Sequence, residues 1–480
     1  MATESTRSRA TRDVVRQLVG RVVNLGLGIV VTAVIARSLG DSGFGEWSSL
    51  LVVVQIAAYL ADLGLEQVGV RRAAAEPERE AEWIGATIVL RALVSLPATL
   101  VSIVVALLIA EDSGMALAGV LVSTTILLSG PNTIRALLQL RLRNDVNVAV
   151  MTFSSVVWGV SAIVVETAGG GLVPLAIAFL ASALATTAVQ VWVGVRAGAV
   201  KLLGSRHLWR PLARVGLPLA TAGVLVLAYA RIDQILVLEI SGAREAGLYA
   251  AVYRILEQAH FLPLTVSMTL LPLVSAAYPA EPARVRELLQ TTLDYLTVVA
   301  LPALGVALAA SGPAIELLFG SEFADAAPAL PILMGAFVVI CFGYLSGNMV
   351  IVLGLQRRYV AYALIGLFFN ICLNLLLLPH YGFLAAAWTT LATELAVVGL
   401  AWGAVLAELH FRPKLGRVLR AVLATTAMTL LLLGLRQIGT PAVPLLLAAP
   451  LSYVPLALLF GAVSLEDLRE LRAMRQQSSG

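Results

Sequence analysis

The sequence predicts an all-α polytopic membrane protein with about fourteen transmembrane helices: two six-helix bundles followed by two extra C-terminal helices. Three observations predict it. The chain is 59% hydrophobic and only 13% charged, with a mean hydropathy of +0.91, whereas a soluble globular domain carries about 25% charged residues. Its basic residues concentrate in every second loop. Its first 410 residues also repeat themselves weakly in order.

Apolar runs long enough to cross about 30 Å of hydrocarbon fall near 14–36, 47–70, 83–110, 115–139, 147–166, 172–195, 211–239, 247–279, 288–311, 326–353, 359–378, 383–407, 417–435 and 441–462. The first follows four arginines (Arg7, Arg9, Arg12, Arg16). It is too long for a signal peptide and has no small-residue cleavage site, so it reads as an uncleaved first helix. With the N-terminus inside, 26 of the 33 Lys and Arg residues fall in segments on the cytoplasmic side. Those segments hold Arg71, Arg72 and Arg79; Arg135, Arg141 and Arg143; and Arg196 through Arg214. They continue with Arg284 and Arg286, Arg357 and Arg358, Arg412 through Arg420, and the tail. Only Arg37, Arg244 and Arg436 fall in outer loops, and Arg21, Arg91, Arg231 and Arg254 lie within spans. A wrong helix count would scramble this alternation, so both termini are expected in the cytoplasm of a cell (inner or plasma) membrane protein.

The repeat rests on three matches. Gly40-x4-Gly45-x-Trp47 matches Gly242-x4-Gly247-x-Tyr249, and Ser129-Gly130-x8-Gln139 matches Ser346-Gly347-x8-Gln356. Gly171-Leu172-x3-Ala176 matches Gly382-Phe383-x3-Ala387. The offsets are 202, 217 and 211 residues. The matches divide the chain into an N-terminal six-helix bundle (1–205), a second such bundle (206–410) and two additional helices with a tail (411–480). An even number of spans per half gives a parallel repeat, which is transporter architecture.

Charges inside such spans are costly and mark function by default. Arg231 lies 12 residues before the turn centre near Ala243 and Arg254 lies 11 after it, so an antiparallel helix pair would hold both arginines at one depth. That depth is very roughly 10–15 Å at about 1.5 Å per residue. Asp233 and Glu257 accompany them. In the first hairpin, Arg21 and Glu66 are placed to pair at the inner end, and Asn24 can face Asp62 deeper in. Asp62 and Glu66 stand at i, i+4, on one helix face. Arg91 sits about 12 Å along the third span, and Glu394 lies in the twelfth. Asn370 and Asn374, one turn apart, read as interhelical glue. The guanidinium fork bonds two phosphate oxygens at once. Arg231, Arg254, Arg21, Arg91 and Asn24 are therefore the expected substrate contacts, with Asp62, Glu66, Asp233, Glu257 and Glu394 as ion-coupling or gating groups.

Several classes are disfavoured. The pI near 9.2 follows from basic cytoplasmic loops and requires no nucleic acid. Cys341 and Cys372 sit in apolar runs and form neither a disulfide framework nor a metal site. No Walker A loop, H-E-x-x-H or G-x-S-x-G motif occurs, so neither catalytic residues nor a cofactor are expected. ATP hydrolysis within the chain is not its energy source. The short outer loops argue against a membrane glycosyltransferase or polymerase. A non-transporting scaffold for surface-glycan enzymes and an ion-coupled multidrug exporter stand as other readings.

Particular motifs resemble a known family. Ile35-Ala-Arg-Ser-Leu-Gly-Asp-Ser-Gly-Phe-Gly-Glu-Trp47 resembles the turn after the first helix of polysaccharide-biosynthesis flippases of the O-antigen type. Arg231-Ile-Asp233 through Gly242-x4-Gly-Leu-Tyr249 resembles their seventh-helix motif. Gly382-Phe-Leu-Ala-Ala-Ala387 is similar to the start of their twelfth helix, with Ala385 where a glycine is usual. The resemblance covers roughly 14–410 and is more specific for the fold of the multidrug/oligosaccharidyl-lipid/polysaccharide exporter superfamily than for substrate. It implies two bundles in a V, with helices 1, 2, 7 and 8 lining a cavity, and alternating access that flips a lipid-linked sugar diphosphate. It carries Asn24, Arg37, Asp62, Arg231, Asp233, Arg254 and Glu257 into that cavity. Fourteen helices also resemble the lipid II flippase branch, but helices 1 and 2 here are poorer in arginine. Membrane lipid and surface-polysaccharide synthesis enzymes are the implied partners.

Overall fold

The computed structural model describes residues 2–62, 64–140, 144–197, 200–202 and 206–464, with side chains described from 26 onward except at 139, 144–145, 218–223 and 226. All regular structure among the described residues is helical. Backbone packing divides the chain into two compact units, Met1–Glu239 and Ile240–Gly480.

The first unit holds α1 (Ala2–Asp62), α2 (Leu65–Ala75), α3 (Glu80–Leu108), α4 (Ser113–Thr124), α5 (Ser129–Asn132), α6 (Arg135–Leu140), α7 (Asn144–Thr167), α8 (Leu172–Ala197) and most of α9 (Trp209–Ser241). The second holds α10 (Ala243–Ala259), α11 (Phe261–Ala277), α12 (Pro282–Phe319), α13 (Ala329–Val352), α14 (Gln356–Leu409), α15 (Gly416–Gln437) and α16 (Ala442–Leu459). Eleven helical stretches among the described residues are long and apolar enough to cross a membrane. Two of them, Gly26–Ala75 and Gln356–Leu409, each carry two predicted spans, and the seventh predicted span lies on α9. The fourteen expected spans are thereby accounted for. Leucines such as Leu108, Leu451 and Leu459 are exposed, as side chains facing lipid must be when lipid is their solvent.

The joints explain why spans merge or split. Gly40, at φ 69° and ψ −177°, divides α1 into two helices, and Gly382, at φ 55°, does the same in α14. Gly242, at φ 89° and ψ 172°, separates α9 from α10. Only glycine takes these conformations without steric cost. Gly40 and Gly242, the first pair of the sequence repeat, share this backbone geometry, whereas Gly171 lacks the positive φ of Gly382.

Three expected spans are less regular than their apolarity suggested. The run 115–139 is broken into α4, a 3₁₀ turn, α5 and α6, where Ser129-Gly130-Pro131 interrupts the hydrogen-bond ladder. The run 247–279 breaks after Ala259, the residue whose carbonyl Pro263 would strike. In the second span, Gly64 adopts the left-handed conformation (φ 62°, ψ 11°). Asp62 therefore ends α1 and Glu66 opens α2, so they do not occupy successive turns of one helix as the i, i+4 spacing implied.

In the first unit, Trp47 stacks on Trp158 at 6.0 Å and meets Phe179 edge-on at 5.6 Å, locking α1, α7 and α8 together. In the second, one core cluster joins α11, α12, α13 and α14 through Leu270, Val274, Leu289, Leu345 and Val405. Another seats α15 and α16 on α12. Gly305 lets Thr425 and Met428 of α15 approach the α12 backbone closely, the small-residue packing that joins membrane helices. Tyr453 of α16 donates to the Val298 carbonyl at 2.7 Å. Pro313 cannot donate to the Ala309 carbonyl, and α12 departs from helical geometry at Ala310. Arg436 donates to that carbonyl at 3.1 Å. The arginine expected in an outer loop thus satisfies a backbone group released by a proline kink.

Candidate functional site: buried and half-buried charges in the membrane helices

In the first unit the charges converge on Arg91. Two glycines make this geometry. A Cβ at Gly69 of α2 would fall on the Thr87 side chain of α3, and one at Gly130 of α5 would fall on Ala92. With hydrogen in both places, α2, α3 and α5 close around one guanidinium. Arg91 Nη1 donates to Glu66 Oε2 at 2.8 Å and to Thr133 Oγ1 at 2.6 Å. Its Nη2 lies 3.0 Å from Asp62 Oδ1. Arg135 grips the same Glu66 with both prongs, Nε to Oε1 at 2.7 Å and Nη2 to Oε2 at 2.9 Å. Arg91 and Glu66 are 7% and 8% exposed, whereas 48% of the Arg135 side chain is accessible. Two carboxylates face two guanidiniums, so the cluster is electrically balanced. Glu66 also stands in the first turn of α2, where the helix dipole favours an anion.

The expected Arg21–Glu66 pair lies outside the described residues on its Arg21 side. Glu66 is held by Arg91 and Arg135, and the side chains of Arg21 and Asn24 lie outside the described residues. Arg91, expected to meet substrate, has its guanidinium engaged by protein oxygens. Arg135 was counted among the loop arginines, and nothing in the sequence links it to a glutamate 69 residues earlier.

On α9, Asp233 is 1% exposed and its Oδ1 accepts from the Gln234 N–H at 2.9 Å; Arg231 is half-buried.

In the second unit, Arg254 Nη1 donates to Glu257 Oε2 at 2.7 Å across one turn of α10, with 41% of the arginine side chain accessible and 13% of the glutamate's. The His260 and Tyr344 rings meet edge-on at 6.2 Å. Glu394 of α14 is half-buried. Asn374 donates to the backbone and side-chain oxygens of Asn370 at 3.0 and 2.9 Å, a bond within α14 rather than the expected tie between helices. Asn348 makes such a tie, donating to the Ser267 carbonyl of α11. At the opposite end of α10, Glu245 accepts from the Phe383 N–H at 2.9 Å beside the Gly382 turn, and Arg244 pairs with Asp325 at 2.6 Å. Among the described residues, no group of three or more His, Cys, Asp or Glu is placed to hold a metal ion.

Comparison with known proteins fixes the context. A family model described as polysaccharide biosynthesis protein matches residues 34–328, more than half of the 480 residues. No curated protein matches the chain in sequence. Among solved structures, the lipid II flippase MurJ in an inward closed conformation is similar with a TM-score of 0.70 at 12% identity, covering 92% of this chain and 98% of that one. An inward-facing multidrug resistance MATE transporter gives 0.66 at 16% identity, covering 81% and 94%. A transporter of the same MOP superfamily from Pyrococcus furiosus, described as having a binding pocket of reverse polarity, gives 0.61 at 14% identity, covering 83% and 96%. At these identities the likeness is one of fold alone.

Proposed function

The chain belongs to the polysaccharide biosynthesis protein family, and on that premise we propose that it is a flippase rather than an enzyme. It carries a polyprenyl-diphosphate-linked oligosaccharide from the inner to the outer leaflet of the cell membrane by alternating access, for cell-surface polysaccharide synthesis. Both termini lie in the cytoplasm, six-helix halves meet near 205/206, and surface-polysaccharide synthesis enzymes supply and consume the substrate.

The observation that carries this reading is Arg254. Its guanidinium is oriented by Glu257 yet keeps 41% of its side chain accessible. A diphosphate needs such a pre-oriented planar donor. Arg231 is assigned the same role on α9. Asp233 and Glu257 tune or release the headgroup, and Glu394 remains a coupling candidate. Asp62, Glu66 and Arg91 form a gate whose charges are balanced in the present conformation.

Replacement of Arg231 and Arg254 by alanine, in cells whose surface glycan depends on this protein, abolishes export at normal protein level. Normal export in that variant overturns the assignment. A membrane-vesicle binding assay with a lipid-diphosphate sugar separates this reading from an ion-coupled multidrug exporter of the same fold, which binds cationic drugs instead.

A further inference from the structure

Residues 196–214 hold Arg196, Lys201, Arg206, Arg210 and Arg214 and no acidic residue. The part that is described lies fixed against the first unit. The Lys201 N–H donates to the Ala81 carbonyl at 3.0 Å, and its ammonium to Glu82 at 2.9 Å. His207 Nε2 lies 3.0 Å from Arg79 Nη2. Gly85 permits the approach, because a Cβ there would fall on the Lys201 carbonyl.

From Arg206 onward the segment is amphipathic. Leu208 and Leu212 are 3% and 0% exposed, within a cluster containing Leu65, Trp83 and Ile84. Arg206, Arg210 and Arg214 follow the same four-residue spacing but stand two positions away from the leucines, about 200° round a helix. All three are exposed.

Two of the carboxylates at this end, Glu76 and Glu82, are turned to other partners, while Glu78 is exposed. Glu76 and Glu82 pair with Arg79, and Glu82 also with Lys201. Among the described residues, no carboxylate pairs with Arg196, Arg206, Arg210 or Arg214. Their neighbours are aromatic and apolar. The Arg196 guanidinium lies 4.0 Å over the ring of Trp192, and that of Arg206 lies 5.8 Å over Trp209. Trp192, Val195, Leu202 and Leu217 are exposed around them. Exposed indole and aliphatic groups interleaved with unpaired arginines, at the ends of two membrane helices, match headgroup depth in a bilayer.

We propose that Arg196, Arg206, Arg210 and Arg214 form a binding surface for anionic phospholipid headgroups, contacting the phosphates, with Trp192 and Leu202 seated among the upper acyl chains. A soluble acidic protein or a nucleic acid would leave that apolar rim in water. The basic stripe is attracted to an anionic leaflet over a Debye length, which the positive-inside rule identifies as the cytoplasmic one. The proposal is independent of the transported substrate.

The test uses the full chain in phosphatidylcholine vesicles with phosphatidylglycerol added. The readout is the preference of spin-labelled phosphatidylglycerol over spin-labelled phosphatidylcholine for the protein surface. Replacing Arg196, Arg206, Arg210 and Arg214 together by glutamine lowers this preference about fivefold or more, since each basic group near such a surface is worth about a fivefold change. The corresponding lysine variant retains it, and raised salt removes it in the wild type. Replacing Arg284, Arg286, Arg357 and Arg358 by glutamine lowers it clearly less, since Arg284 is already paired with Glu287. Arg210→Gln and Arg214→Gln alone, at exposed positions, keep the fold and give partial losses should the fourfold variant not be monodisperse. An unchanged preference in the glutamine variants overturns the proposal. So does an equal loss in the 284–358 control, or a wild type that shows no preference for the anionic lipid.

Discussion

The charges of the two units are built on opposite plans. In the first, Asp62, Glu66, Arg91 and Arg135 come from four separate helical segments, and the central pair is almost wholly buried. In the second, Arg254 and Glu257 sit one turn apart on α10 with the guanidinium half-accessible. The same residue types therefore serve two ends. A buried balanced cluster resists the loss of any member, because removing one partner strands a charge in low dielectric. An accessible local pair contributes little to stability and keeps donors within reach of a ligand. Mutations should separate the two plans.

The largest effect is expected at Glu66. Glu66→Ala leaves Arg91 opposed only by the imperfectly aligned Asp62 and deprives Arg135 of both its bonds. Breaking a buried pair in this way costs about 3–5 kcal/mol, and denaturant unfolding of the purified protein in mild detergent should register it. A loss below about 1 kcal/mol would place the cluster with ordinary surface ion pairs and erase the contrast between the units.

How much of this was legible in the sequence depends on the range of the contact. The spans were readable because lipid imposes length and apolarity locally, and Gly40, Gly242 and Gly382 punctuate them where motifs marked turns. Arg254 and Glu257 were readable as partners because three residues on a helix bring side chains together. Arg91 was visible only as a charge in an apolar run. Its partners lie 25, 29 and 42 residues away, and that of Arg135 lies 69 away. Two invisible facts join them: the close helix approaches at Gly69 and Gly130, and the left-handed Gly64 turn that breaks the helix between Asp62 and Glu66. The positive-inside count could not show that Arg135 reaches Glu66, since it counts charge and not direction.

Arg135→Gln should fall between the extremes. It removes two charge-assisted bonds from Glu66 but leaves the bond from Arg91, and the lost side chain was half in the open. Bonds to charged groups contribute about 1.5–3 kcal/mol, so a destabilisation in that interval, below that of Glu66→Ala, is expected in the same unfolding measurement. If Arg135→Gln equals or exceeds Glu66→Ala, then Arg135 and not Arg91 is the principal counter-charge.

The smallest change in stability, and the most informative, belongs to Arg254→Ala. The pair it breaks spans a single turn and is partly solvated, so the unfolding free energy should move by no more than about 1 kcal/mol. Export of surface glycan should nevertheless fall steeply, because the substitution removes a donor aimed by Glu257 and no other part of α10 replaces it. Arg254→Lys supplies the control. Lysine keeps the charge and the ion pair but not the planar fork, so partial export in that variant would show that bidentate geometry, beyond charge alone, matters at this position. Loss of export with a matching loss of stability would instead make Arg254 a residue that holds the fold. The division between a sealed cluster in one unit and a working arginine in the other would then fail.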